Sequence, residues 1–143
     1  MNPHRNHAEA IWNAGVDAVR ARPLVEGSLQ IDGDTLVIGD RHWSRDQFDR
    51  VLVVGAGKAA TAMATGLTRV IGDWLPVAGW INVPEGTVHP IPGITVHPAR
   101  PAGVNEPTQA GVEGTEQMLA LVGAATDRDL CIALISGGGS ALM

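Results

Sequence analysis

The chain has 143 residues, 45% hydrophobic and 17% charged, with 18 Gly and 9 Pro, a composition that fits one turn-rich globular domain. Its net charge of −5 and the lack of any basic run exclude a binder that works by displacing counterions from nucleic acid, although placed cations and backbone N–H groups can still hold a phosphate locally. A single cysteine excludes an intrachain disulfide, and no apolar run is long enough to span a membrane, so a cytoplasmic protein is expected, with Cys131 as a small buried residue of a strand.

Residues 7–22 predict the first helix. Ala8, Ile11, Trp12, Gly15, Val16 and Val19 fall on one face, and Pro23 is expected to end it. Residues 28–31 and 35–38 read as a hairpin around Asp32-Gly33-Asp34. Ser44 and Gln47 have the spacing of a capping box over a short helical turn.

The clearest unit follows. Residues 51–54 are an apolar strand that runs into Gly55-Ala56-Gly57-Lys58. A helix is expected from about 58 to 71, and a second strand over 77–83. Strand, glycine turn, helix and strand make a βαβ unit with parallel strands. Residues 84–107 carry six prolines and two Val-His-Pro triplets, and they read as loop with a short strand over 94–96. His89 and His97 are expected to be structural. A helix over 106–123 follows, with Val112, Thr115, Met118, Leu119 and Val122 on its apolar face. Residues 130–135 are a last apolar strand, which leads into Ser136-Gly137-Gly138-Gly139-Ser140 and the start of another helix. Apolar strands without alternation imply a sheet covered on both faces. The expected fold is α/β, a three-layer Rossmann-like sandwich with a mostly parallel sheet, incomplete at its C-terminal end.

In such folds ligands bind beyond the carboxyl ends of the strands, where both glycine turns lie. Glycines let the backbone approach a ligand closely, and a helix N-terminus favours anions. Gly55, Gly57, Ser136, Gly137, Gly138, Gly139 and Ser140 are therefore candidate phosphate- or substrate-binding residues. Lys58 is the candidate catalytic residue: a cation at a helix start opposes the helix dipole, which calls for a compensating role. No metal site is suggested by spacing. A P-loop is absent, because Leu52 stands where its first glycine belongs and Ala59 replaces its hydroxyl residue. Gly55-Ala56-Gly57-Lys58-Ala59-Ala60 matches a dinucleotide fingerprint, but no acidic residue ends the next strand.

Residues 51–60 with Met63-Ala64, the segment 134–142, the opening Ile11-Trp12-Asn13-Ala14-Gly15-Val16 and the pair His97-Pro98 together resemble the N-terminal part of the glycerate 2-kinases whose C-terminal part is called MOFRL. The resemblance covers nearly the whole chain. It implies transfer of the γ-phosphoryl group of ATP, with Mg²⁺, to D-glycerate or a similar hydroxy acid, with Lys58 as the active-site lysine. It also implies that the 143 residues are an inactive fragment, with an exposed apolar patch through which a homodimer could form. The loop after His97-Pro98 departs from the family pattern, and Arg100 or Asn105 is expected to take over part of its role. The alternatives are an NAD(P)H-dependent hydroxypyruvate reductase and a non-catalytic α/β binding module.

Overall fold

The computed structural model describes residues 3–143. The order of elements is α1 (Pro3–Ala18), α2 (Ala21–Ser28), β1 (Leu29–Asp32), β2 (Thr35–Ile38), β3 (Arg41–Ser44), β4 (Arg50–Ala56), α3 (Ala60–Ile71), β5 (Val77–Pro84), β6 (Ile94–Arg100), α4 (Gln109–Gly123) and β7 (Asp129–Ile135), with short 3₁₀ turns at Arg45–Gln47, Glu85–Thr87 and Gly139–Ala141.

Two sheets form. β1, β2 and β3 make an antiparallel meander, and β6-β5-β4-β7 make a four-stranded sheet in which every pairing is parallel. Helix α3 packs on one face of the parallel sheet and α4 on the other, which gives the expected three layers. The core lies on the α3 side. Val51, Val53, Ile81 and Val83 from the strands meet Ala60, Ala64, Leu67 and Ile71 from the helix. Each of the buried Val, Leu and Ile side chains contributes about 1.5–3 kcal/mol. The meander adds Leu36 to the same core, and the capping box read from the sequence forms at Ser44 and Gln47, with Gln47 Oε1 accepting from the Ser44 amide at 2.9 Å.

Four expectations change. The opening helix breaks at Val19–Arg20, and Pro23 lies in the first turn of α2. There a proline costs little, because the first turn has no carbonyl partner for its missing N–H. Among the described residues the apolar face of the opening segment is left bare: Ile11 and Trp12 of α1, and Val19 just beyond it, are 74%, 72% and 68% exposed. In α4 the side pressed on the sheet is Gly111, Gly114 and Met118, while Val112, Leu119 and Val122 face outward. The cause is Asn82, fully buried on β5. It donates to the carbonyls of Leu142 at 2.7 Å and Gly111 at 3.2 Å, and a Cβ on Gly114 would overlap its side chain. Finally, Cys131 is exposed rather than buried. β7 is an edge strand, Cys131 pairs with Leu52, and α4 covers Leu52 without reaching across to Cys131, Ala133 and Ile135.

β7 is tied to β4 at its start by an ion pair, Arg50 Nε to Asp129 Oδ1 at 2.5 Å. The hydrogen bond from Arg50, aided by the Thr126 amide, holds the Asp129 carboxyl down at about 2. Nearby, Arg128 lowers Asp49 in the same way. A carboxylate depressed in the folded state stabilises the fold above its unfolded pKa, and that contribution is lost as pH falls through the folded value. The urea midpoint should therefore be level above about pH 5 and drop between about pH 4 and pH 2. Asp129→Asn should lower the midpoint at neutral pH and make that acid drop shallower. An unchanged acid limb in the variant would show that the pair contributes nothing to it.

Candidate functional site

The order in which strands are added to the sheet reverses between β4 and β7. The chain moves outward from β4 to β5 to β6, then returns past β4 to lay down β7 on its other side. The loops that leave the carboxyl ends of β4 and β7 therefore meet, which is where doubly wound folds bind ligands.

The two glycine turns are packed against one another. The Ser136 amide donates to the Ala56 carbonyl at 3.1 Å, and the Lys58 amide donates to the Gly137 carbonyl at 3.2 Å. Ser136 Oγ accepts from the Ala59 amide at 3.0 Å, just ahead of α3. Gly57, with φ +136°, donates its amide to the Asn82 carbonyl at 3.3 Å. A Cβ on Gly55 would overlap the Leu134 carbonyl, and one on Gly57 would overlap Ser136. Gly55 and Gly57 thus have a packing reason of their own. Around them, the amides at 57, 58 and 59 are already engaged inside the chain.

The second turn is different. Gly138 lies at φ +82°, and the amides of Gly137 and Gly138 make no hydrogen bond among the described residues. Gly139 is buried against the Ala56 carbonyl, and its amide donates to Ser136 at 3.2 Å. Ser140 is exposed in a 3₁₀ turn, where the sequence suggested an α-helix.

Lys58 is exposed and leans over this turn. Its Cε lies 3.5 Å from the point a Gly138 Cβ would occupy, and Arg100 Nη2 lies 3.3 Å from the same point. Lys58 forms a wall common to two clefts. One, of about 830 Å³, lies between α2 and α3 and is lined by Arg20, Arg22, Thr61, Thr87 and His89 besides Lys58. The other, of about 330 Å³, is lined by Lys58, Pro84, Thr87, Arg100, Val104 and Asn105. A third hollow of about 590 Å³ opens beside Gly72 and Val77, away from both glycine turns.

The strand that reads as residues 94–96 continues to Arg100, and this extension brings Arg100 to the site. Pro98 is accommodated because β6 is an edge strand with one free side. The only sequence signal for Arg100 was the departure of its loop from the family pattern. His97 is structural, as expected: its Nε2 hydrogen-bonds to the Ala110 carbonyl at 2.9 Å, and its ring tilts against Trp80 at 5.3 Å. Among the described residues no cluster of His, Cys, Asp or Glu could hold a metal ion, and no helix is long and apolar enough to cross a membrane.

Residues 7–143 match the family model described as a domain of unknown function, DUF4147. The chain is 30% identical over 156 residues to a glycerate kinase of Danio rerio, covering 100% of this chain and 30% of that protein. Over 98 residues it is 36% identical to a protein of Agrobacterium vitis provisionally named a hydroxypyruvate reductase, covering 66% of this chain and 23% of that one. The crystal structure of the PH0495 protein from Pyrococcus horikoshii OT3 has a TM-score of 0.79 at 25% identity, over 99% of this chain and 31% of that one. The chain therefore spans about three-tenths of the length of the kinase it matches.

Proposed function

We propose a function from one premise: this chain belongs to the DUF4147 family, in company with glycerate kinases. The proposal is that the whole polypeptide transfers the γ-phosphoryl group of ATP to a hydroxyl of D-glycerate, and that this chain supplies the lysine and the glycine loop between donor and acceptor. The observation that carries it is the position of Lys58 between two clefts of unequal size. A phosphoryl transfer needs a donor and an acceptor brought to opposite sides of one charge-stabilising group. The larger cleft, with Arg20 and Arg22, suits a polyanionic nucleotide, and the smaller one suits a three-carbon acid.

The residues present fit the phosphates of ATP. Lys58 supplies a full positive charge, and the amides of Gly137 and Gly138 can donate to an oxyanion beside it. ATP, when bound, supplies the phosphoryl group. Lys58 would neutralise charge as it spreads over the phosphoryl oxygens, and Gly138 leaves room for both reacting groups to approach. Mg²⁺ does not fit these residues as ligands, because neither cleft is lined by a carboxylate. No step is therefore assigned to it. The acceptor cleft also holds no carboxylate or imidazole to take the hydroxyl proton, and Lys58 serves there as a cation, so the 143 residues alone are expected to give no ADP release.

The reductase reading finds less support. A dinucleotide fingerprint uses the amides of its glycine turn to hold a pyrophosphate. Here the amides of Gly57, Lys58 and Ala59 are occupied by Asn82, Gly137 and Ser136. The test is a coupled assay on the gene's longest reading frame, with D-glycerate plus ATP and with hydroxypyruvate plus NADH in parallel. Glycerate-dependent ADP release is the expected result. NADH oxidation without ADP release would replace the kinase reading with the reductase one.

A further inference from the structure

Arg100 ends β6 and is only 3% exposed, yet it has no counter-charge. Its Nη1 donates to Asn105 Oδ1, a neutral acceptor, at 2.7 Å, and its buried Nε has no partner. Neither Arg100 nor Lys58 takes part in an ion pair among the described residues. A guanidinium withdrawn from water without an anion is costly, and a second cation pointed at the same place adds repulsion. Both side chains nevertheless converge on Gly138, within 3.3 Å and 3.5 Å of where its Cβ would lie. Any side chain at position 138 would fill that point. The smaller cleft, onto which both cations open, is otherwise lined by apolar and neutral groups.

We propose that Arg100 and Lys58 form an oxyanion receptor over Gly138, and that its ligand is the carboxylate of the small hydroxy acid. Arg100 takes the carboxylate through its planar fork, and Asn105 fixes the orientation of that fork. A guanidinium edge matches a carboxylate in two parallel hydrogen bonds, whereas an ammonium such as that of Lys58 acts as a point charge suited to a shifting phosphoryl oxygen. The inference rests on the preceding reading for the identity of the acid. The anion site itself stands on the buried, uncompensated guanidinium.

The experiment is an NMR titration of the labelled 143-residue chain that follows the Arg100 Nε–H resonance. The probes are D-glycerate, glycerol as its uncharged analogue, and inorganic phosphate. D-glycerate should move the resonance saturably and glycerol should not. Arg100→Gln should weaken D-glycerate binding about tenfold or more, and Arg100→Lys should recover only part of the loss. Asn105→Ala, an exposed change, should weaken it less. An Arg100 Nε–H that ignores D-glycerate overturns the proposal, as does an Arg100→Gln variant that binds as well as wild type. A response to phosphate alone overturns the carboxylate assignment. If Arg100→Gln does not fold, the wild-type resonance and Asn105→Ala decide the matter. The kinase reading fails separately, by an absence of ADP release while this binding persists.

Discussion

Gly57→Ala should lower the stability of the chain by about 3 kcal/mol, among the larger effects of a single methyl group. Two costs coincide at this position. The backbone has φ +136°, a region an alanine enters only with strain. The added Cβ would also overlap Ser136 Oγ and lie 2.7 Å from the Ser136 carbonyl oxygen, so the β7 loop itself must move. That movement breaks the contact that joins the two glycine turns, Ser136 Oγ with the Ala59 amide. Gly123→Ala is the matched control. Nothing lies within 4 Å of its Cβ position, and the substitution should be neutral or slightly stabilising. Urea unfolding of both variants measures the difference. Equal midpoints would show that the turns are not held as tightly together as the hydrogen bonds imply.

Lys58→Ala should reduce kcat for glycerate-dependent ADP release by about 10²–10³-fold in the gene's longest reading frame. Its stability should change by less than about 0.5 kcal/mol. The side chain is exposed and makes no ion pair among the described residues, so folding gains little from it. Its position ahead of α3 is mildly unfavourable, because a cation there faces the positive end of the helix dipole. Activity and stability are thus expected to separate at this residue. Lys58→Arg should retain part of the rate, since the charge persists while its reach changes. A loss confined to KM would assign Lys58 to ground-state binding. A kcat within about twofold of wild type would remove it from the chemistry.

The parallel sheet and its family were legible in the sequence because their signals are local. Residues 51–54 and 130–135 are unbroken apolar runs, residues 77–83 are interrupted only by Gly79 and Asn82, and each became the core of a strand. The glycine turns were legible for the same reason. What escaped depended on partners distant in sequence. Residues 41–44, Arg-His-Trp-Ser, have no strand pattern of their own and become β3 only by pairing with β2. The inward side of α4 could not be found from apolar periodicity, because its contacts are two glycines pressed on a buried asparagine. Cys131 lies in an apolar run, but burial also requires a neighbour, and α4 packs over β6, β5 and β4 without reaching across to the Cys131 side of β7. Pro23 carries two opposite meanings, helix end or first turn, and the residues around it do not choose between them. Arg100 reaches Gly138 across 38 positions of sequence, through the pairing of β6 with β5, of β5 with β4 and of β4 with β7, and no spacing rule encodes that path.

The strand order also sets a timetable. β4 occupies an inner place in the sheet, but Arg50 waits for Asp129, its partner 79 residues later. At a synthesis rate of about 5–20 residues per second, one side of β4 stays bare for roughly 4–16 s after it leaves the ribosome. That side is the backbone edge of Val51, Leu52 and Val53, a ready template for a foreign strand until β7 arrives. The nascent chain therefore carries this open edge for the whole interval between the synthesis of β4 and that of β7, and a chaperone that shields it would guard β4 during that interval.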